Sequence, residues 1–286
     1  MSASPEPATP FTDALRLPEG RVDLAAIDTR ATPAWSEGRD AGAAALAVRT
    51  RRVGELQERM WAHGVAGSEP PRVLLVLQGM DTSGKGGALT AATGAVAPMG
   101  LHVAAFGRPT SEELAHDFLW RVRRELPGVG QVGVFDRSHY EDVLIAAVRG
   151  LAPPEEIERR YGAIDEFEAE LTEAGVVVLK VMLHVSKERQ AERLEERLTD
   201  PGKRWKYDPS DVDERAFWED YTAAYETVLA RCRSDRAPWH VVPAHRKWYR
   251  KLAVTSLLLE TLEGLGLDWP EPDIDVEAEL ARLRAS

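Results

Sequence analysis

The tightest constraint on the fold is local. The unbroken apolar run Val73-Leu74-Leu75-Val76-Leu77 is followed, after Gln78, by the G-x-x-x-x-G-K loop Gly79-Met80-Asp81-Thr82-Ser83-Gly84-Lys85. The run does not alternate polar with apolar residues, so it predicts a strand buried on both faces, as in a parallel sheet covered by helices. A strand feeding such a loop, with a helix opening at Lys85, is the arrangement that cradles phosphates. Glycines let the backbone curl until successive N–H groups point inward, the helix N-terminus adds partial positive charge, and the lysine reaches a transferring phosphoryl group. The competing interpretation is a strand–turn–helix that merely needs glycines; the order of strand, loop and helix argues against it.

The loop departs from the usual pattern in two ways. Gly86, followed by Gly87, stands where a Ser or Thr ordinarily holds Mg²⁺. Asp81 lies inside the loop, where an anion beside phosphates is repulsive unless a cation sits between them. We expect Asp81 to help hold Mg²⁺, or to orient an attacking acceptor phosphate, in place of the missing hydroxyl.

The same alternation continues along the chain. Strands are expected at 102–106, 132–135, 176–183 and 239–242. Helices are expected at about 40–61, from Lys85, from a Thr110/Glu113 capping box through Phe118 and Trp120, at 140–148 and 155–173, after Ser186, at 214–232 and at 248–262. Strands alternating with helices predict a three-layer α/β/α sandwich around a parallel five-stranded sheet. Residues 1–38, rich in Pro, Ala and Thr, are expected as a flexible or loosely docked arm. The span 39–268 is expected as one domain, and 269–286 as a tail with a short helix after Pro270 and Pro272. No apolar run reaches the roughly 18 residues of a membrane span, and no secretory leader is visible. A single cysteine, Cys232, excludes an intrachain disulfide framework and fits a cytoplasmic protein; net charge −11 argues against a nucleic-acid coat.

Phe135-Asp136-Arg137-Ser138 ends the third predicted strand. An acid at that strand end, beside the phosphate-loop strand, is the place for a second Mg²⁺ anchor, and Arg137 can neutralise charge on a transferring group. A structural Asp–Arg pair is the alternative for these two in isolation. His139, Glu141 and Asp142 are expected to cap or to face solvent. From 193 to 212 the chain carries Arg193, Arg197, Lys203, Arg204 and Lys206 around Asp200-Pro201-Gly202, the composition of a basic lid closing over phosphates. Arg193 also fits a solvated i,i+3 pair with Glu196, and Trp205 is expected to pack rather than stack on a base. Arg108, Arg121 and Arg124 are candidates for an acceptor or anion, with a surface role as the alternative for each.

These motifs together resemble polyphosphate kinase family 2. The resemblance rests on residues 79–87, on Arg108-Pro109-Thr110 with Phe118-Leu119-Trp120-Arg121, on 135–144, on Lys203-Arg204-Trp205-Lys206-Tyr207, on Trp218 and Tyr221, on Pro238-Trp239 and on Lys247-Trp248-Tyr249. It implies a P-loop kinase type of fold with a helical lid, and Mg²⁺-dependent, reversible phosphoryl transfer between inorganic polyphosphate and a nucleoside mono- or diphosphate. Asp81, Lys85, Asp136 and Arg137 carry over as the catalytic set, with Asp81 and Asp136 as metal ligands. Gly79, Met80, Thr82, Ser83, Gly84, Gly86 and Gly87 carry over as the phosphate- and nucleotide-binding loop. Arg197, Lys203, Arg204 and Lys206, with Arg108 and Arg121, carry over as polyphosphate or lid contacts. The resemblance also implies a homo-oligomer, dimer or tetramer. Relatives place an Arg near Ala147, and the segment 145–149 here is less basic, with Arg149 as the substitute. Two competitors remain: an ATP-dependent nucleoside monophosphate kinase on the same scaffold, which Gly86 and Asp81 disfavour, and a non-catalytic nucleotide- or polyanion-binding regulator, which would be expected to lose Lys85 or Asp136.

Overall fold

Each apolar run expected as a strand forms one. A computed structural model describes residue 7, residues 9–271 and residues 273–286. In chain order the elements are α1 (Phe11–Leu15), α2 (Arg39–Val65), β1 (Arg72–Gln78), α3 (Lys85–Thr93), β2 (Leu101–Ala105), α4 (Trp120–Arg124), β3 (Val132–Asp136), α5 (Ile145–Val148) and α6 (Pro154–Glu173). They continue as β4 (Val176–His184), α7 (Lys187–Thr199), α8 (Ser210–Glu214), α9 (Trp218–Arg231), β5 (Trp239–Pro243), α10 (Lys247–Gly264) and α11 (Val276–Arg284).

The five strands are parallel, in the order β2-β3-β1-β4-β5. Alternate residues of β1 enter two separate cores. Leu74 and Val76 join Phe135, Phe167 and Leu229 on one face; Val73, Leu75 and Leu77 join Met60, Ala88 and Leu258 on the other. Burial on both faces is why the run shows no alternation. After β1 the chain crosses to β2 and returns through β3, and from β3 it passes to β4 on the other side of β1. The carboxyl ends of β1 and β3 therefore flank a topological switch point, the crevice where such sheets bind ligands. Among the described residues no helix is long and apolar enough to cross a membrane.

Several expectations need correction. The described residues from 9 to 38 are not loosely docked. Phe11 is fully buried beside Tyr249, Leu15 and Trp35 lie in the same core, and Val22 and Leu24 enter the opposite one. The Glu260 carboxylate accepts from the Phe11 and Thr12 amides at 2.9 and 2.8 Å, and the Leu17 amide donates to the Trp239 carbonyl at 2.9 Å. These anchors are too widely spaced to show a period, so the chain between them looks featureless although it completes both cores. Residues 1–6 and 8 of the expected arm, and Pro272 of the tail, lie outside the described residues.

The Thr110/Glu113 box does form, with reciprocal bonds of 3.2 and 2.6 Å, but it caps only a 3₁₀ turn, Glu113–Ala115, and the helix resumes as α4. The helix expected over 140–148 is a 3₁₀ turn, His139–Asp142, followed by α5, and the one expected over 214–232 is split into α8, a 3₁₀ turn and α9. α11 is capped by Asp275 and buries none of its residues.

Candidate active site

Backbone geometry builds the loop between β1 and α3. Gly79 has φ +146°, and a Cβ there would lie 2.7 Å from the Leu183 carbonyl oxygen; Gly84, at φ +100°, would drive its Cβ into the Arg250 guanidinium. Neither position accepts a side chain. Lys85 is the first residue of α3, and its Nζ donates back to the Gly79 carbonyl at 2.7 Å, closing the loop on itself. The amides of the first turn of α3 have no intrahelical partners, as at every helix start, and are available to phosphate oxygens. Burial holds the Lys85 ammonium below the ordinary lysine pKa, opposed chiefly by Asp81.

The register of the sheet places the second acid. Asp136 pairs with Leu77, two residues before Gly79, and the Arg137 amide donates to the Leu77 carbonyl at 3.1 Å. Arg137 takes the left-handed conformation, φ +65°, which is rare for a residue with a side chain and turns its guanidinium back over the loop. There its Nη2 meets Asp81 Oδ1 at 2.7 Å, and Nη1 lies 3.9 Å from Glu141. Burial alone would lower the Arg137 pKa; Glu141 and Asp81 outweigh it and raise the group above its usual value, so it stays cationic. One Asp136 oxygen, Oδ1, is buried with no hydrogen-bond partner among the described residues.

Two hollows meet at the Asp81–Arg137 pair, which lines both. The larger, about 660 Å³, runs past Gly84, Lys85, Asp136, Arg197 and Lys206. The smaller, about 270 Å³, is lined by Met80, Glu141, Trp218, Tyr221 and Tyr225, and by Asp208, Asp211 and Glu214. Their charges differ. The first has Lys85, Arg137, Arg197 and Lys206 against Asp81 and Asp136. The second has Arg137 alone against five carboxylates, and burial raises the pKa of both Glu141 and Asp211 there. An extended polyanion suits the first hollow; a flat ring beside aromatic side chains suits the second.

The remaining expected residues fall into three groups. Thr82, Gly86 and Gly87 line the larger hollow, whereas Ser83 lies wholly buried beneath it. Arg197 reaches its wall while bonded to Asp211 at 2.7 Å and to the Lys206 carbonyl at 2.9 Å, and Lys206 lies over the Trp205 ring. Trp205 is exposed rather than packed.

The structure does not bring Lys203, Arg204, Arg108 or Arg121 into either hollow. Lys203 pairs with Asp200 at 2.7 Å, and Arg204 donates to the Leu198 carbonyl. Arg108 borders a separate hollow with Thr110 and Glu113. Arg121 is buried and spent on Asp142 and the Gly107 carbonyl. Arg124 stacks over the Trp120 ring. Arg149 sits over the Phe217 ring, 3.7 Å from Glu214.

Sequence reasoning missed four contributors. Glu141, expected to cap or to face solvent, faces Arg137. Its exposure was misjudged because the segment is a 3₁₀ turn capped by Ser138 rather than an α-helix. Tyr225 accepts from the Gly79 amide at 3.2 Å. Arg193, expected in the basic lid or on a solvated helix face, is buried and donates to the Thr82 and Ser83 carbonyls, and Arg250 joins it there. Both arginines are separated from the loop by more than a hundred residues, so no local pattern marks them.

Comparison with known proteins agrees with this arrangement. Residues 37–267 match the family model for polyphosphate kinase 2. The chain is 44% identical over 256 residues to an AMP/ADP-polyphosphate phosphotransferase of Meiothermus ruber, covering 90% of this chain and 94% of that one. It is 35% identical to an ADP-polyphosphate phosphotransferase of Rhodopseudomonas palustris, covering 96% and 97%. A crystal structure of polyphosphate kinase 2 from Arthrobacter aurescens superposes with a TM-score of 0.96 at 48% identity, over 99% of this chain and all of that one. The chain belongs to the polyphosphate kinase 2 family.

Proposed function

We infer that this protein transfers a phosphoryl group between inorganic polyphosphate and a nucleoside mono- or diphosphate. The observation that carries the reading is the meeting of two unlike hollows at Asp81 and Arg137: a cationic one continuous with the phosphate loop, and an acidic, aromatic one on the other side. The polyphosphate end lies along the first, held by Lys85, the amides at the start of α3, Arg197 and Lys206. The acceptor nucleotide lies in the second, with its terminal phosphate at the junction.

An acceptor phosphate oxygen attacks the terminal phosphorus of the polyphosphate in line. The bond to the bridging oxygen breaks, and the polyphosphate leaves one unit shorter. No protein nucleophile is needed. Lys85 and Arg137 offset the charge gathering on the equatorial oxygens. The reverse direction uses the same contacts.

The donor set fits Mg²⁺. Among the described residues no cluster of three or more His, Cys, Asp or Glu is arranged to hold a metal. An ion that keeps most of its shell as water and substrate phosphate needs only one or two carboxylates. Asp136, with its unpartnered buried oxygen, and Asp81 would hold it. When bound, the ion neutralises negative charge on the donor and acceptor oxygens.

The test is product analysis after incubation with long-chain polyphosphate, Mg²⁺ and either AMP or ADP, in the absence of ATP. Formation of ADP from AMP, or ATP from ADP, supports the reading. No phosphorylated nucleotide, with turnover restored by ATP and a monophosphate, transfers the assignment to an ATP-dependent monophosphate kinase.

A further inference from the structure

A loop that turns its N–H groups toward phosphates must turn carbonyls the other way, and buried carbonyls need donors. In this loop three consecutive carbonyls receive side chains from two helices. Gln190 Nε2 donates to Asp81 O at 3.1 Å, and Arg193 Nη1 to both Thr82 O and Ser83 O at 2.8 Å. Arg250 Nη1 donates to Ser83 O at 3.1 Å. Arg193 also donates through Nη2 to the Ala244 and His245 carbonyls, at the turn into α10. It thereby ties α7, from which the lid springs, to the loop and to α10. Gly84 closes against the Arg250 guanidinium.

The charge balance is unusual. Arg193 and Arg250 are nearly inaccessible, and among the described residues neither has a carboxylate at ion-pair distance. Burial lowers both pKa values to about 10; Arg250 and Arg189 add to the effect on Arg193, more distant Glu196 and Glu192 oppose it, and both guanidiniums remain protonated at neutral pH. Two buried cations without an acid are a poor device for stability alone, since buried charge is tolerated when it is paired.

We propose that Arg193, Arg250 and Gln190 are positioning residues for phosphoryl transfer: they hold the carbonyls of residues 81–83 away from the cleft so that the loop amides face the polyphosphate, whose charge balances the two guanidiniums. The proposal rests on the reaction inferred above. Orientation and charge are separable. At Arg193 a lysine keeps the charge but loses the fork that grips two loop carbonyls at once; at Arg250 it keeps the charge but loses the planar guanidinium that reaches Ser83 O; a methionine loses both charge and grip.

The experiment measures kcat, the KM for ADP, the Kd for tripolyphosphate and the Tm of wild type, Arg193→Lys, Arg250→Lys, Arg250→Met and Gln190→Met. With the loop misoriented, both lysine variants are expected to lose about tenfold or more in kcat while the KM for ADP stays within about twofold. Tripolyphosphate affinity should fall in the lysine variants, whose loop amides no longer face the phosphates, and furthest, about tenfold or more, in Arg250→Met, where a whole charge is gone as well. A merely structural role predicts a lower Tm with wild-type kcat per folded molecule and unchanged tripolyphosphate binding, and that result overturns the proposal. Should the arginine variants fail to fold, Gln190→Met decides: an unchanged kcat overturns the proposal, and a lowered kcat at unchanged ADP KM supports it. Active wild type with fully active variants removes this proposal alone. A folded wild type that transfers nothing removes the reaction, and the proposal with it.

Discussion

Lys180 offers the sharpest test of how the core supports the site. It sits on β4, wholly inaccessible, in the layer that carries the 136–142 turn. Its ammonium meets Glu168 Oε2 at 2.6 Å, the Cys232 carbonyl at 2.8 Å and the Tyr140 hydroxyl at 3.2 Å. The same carboxylate accepts from Tyr140 Oη at 2.5 Å and lies 3.3 Å from His139 Nε2. Lys180→Met fills the space but strands the Glu168 carboxylate. Removing one member of a buried ion pair costs about 3–5 kcal/mol. At about 2–4 °C per kcal/mol for a chain near this size, Tm should fall by roughly 6–20 °C.

The pH dependence carries a sign. Burial would raise the Glu168 pKa, but Lys180 and His139 outweigh it and hold the group below its ordinary 4.5. Its contribution to wild-type stability is therefore present above the unfolded pKa and fades as pH falls through the folded value. Without the ammonium, burial dominates and the folded pKa rises above the unfolded one. The native variant then binds a proton the unfolded chain lacks, and it gains stability as pH drops from neutral toward about 5. Urea unfolding of both proteins at pH 5 and pH 8 should show a larger deficit at pH 8. A deficit under about 1 kcal/mol, or one equal at both pH values, would refute the reasoning, since burying an unpaired carboxylate has to cost more than that. The double replacement Lys180→Met/Glu168→Leu should recover part of the loss.

Four further outcomes are expected. Asp136→Asn and Lys85→Ala should each leave less than about a tenth of wild-type transfer activity with an unchanged far-UV spectrum, because on the reading proposed above the first removes a carboxylate that would hold Mg²⁺ and the second the cation that faces the transferring phosphoryl group. Gly84→Ala forces a left-handed alanine against Arg250 and should destabilise by about 2–4 kcal/mol, read as a lower urea midpoint. Phe11→Ala empties a fully buried site, and denaturant unfolding should show a loss of about 3–5 kcal/mol, where a loosely docked arm would give almost none. Chelation of divalent cations should abolish transfer and added Mg²⁺ should restore it, whereas full activity in excess chelator would remove Asp81 and Asp136 from the metal role.

How much of this is legible in the sequence follows from what repeats. Burial of apolar side chains recurs along an element, so the runs at 73–77 and 176–183 announced their strands, and a loop defined by glycines at fixed offsets announced the cradle. Phe11, Leu15, Val22, Leu24 and Trp35 anchor their segment singly, so no period exposes it. The polar contacts of the site occur once each, and Glu141, Arg193, Tyr225 and Arg250 look like any surface residue of their kind. Helix α7 shows why. The buried residues of α7 are Gln190, Arg193 and Leu194, the i, i+3, i+4 spacing of an inward helix face, with two of the three positions polar. A helix that turns Gln and Arg inward must pack against something that accepts hydrogen bonds rather than against a hydrocarbon core. Directly preceding the basic segment at 197–206, the candidate acceptor is the backbone of the phosphate loop. The i,i+3 pairing of Arg193 with Glu196 does not form: Arg193 is buried against the loop, and Glu196 pairs with Arg189 and Lys247 instead.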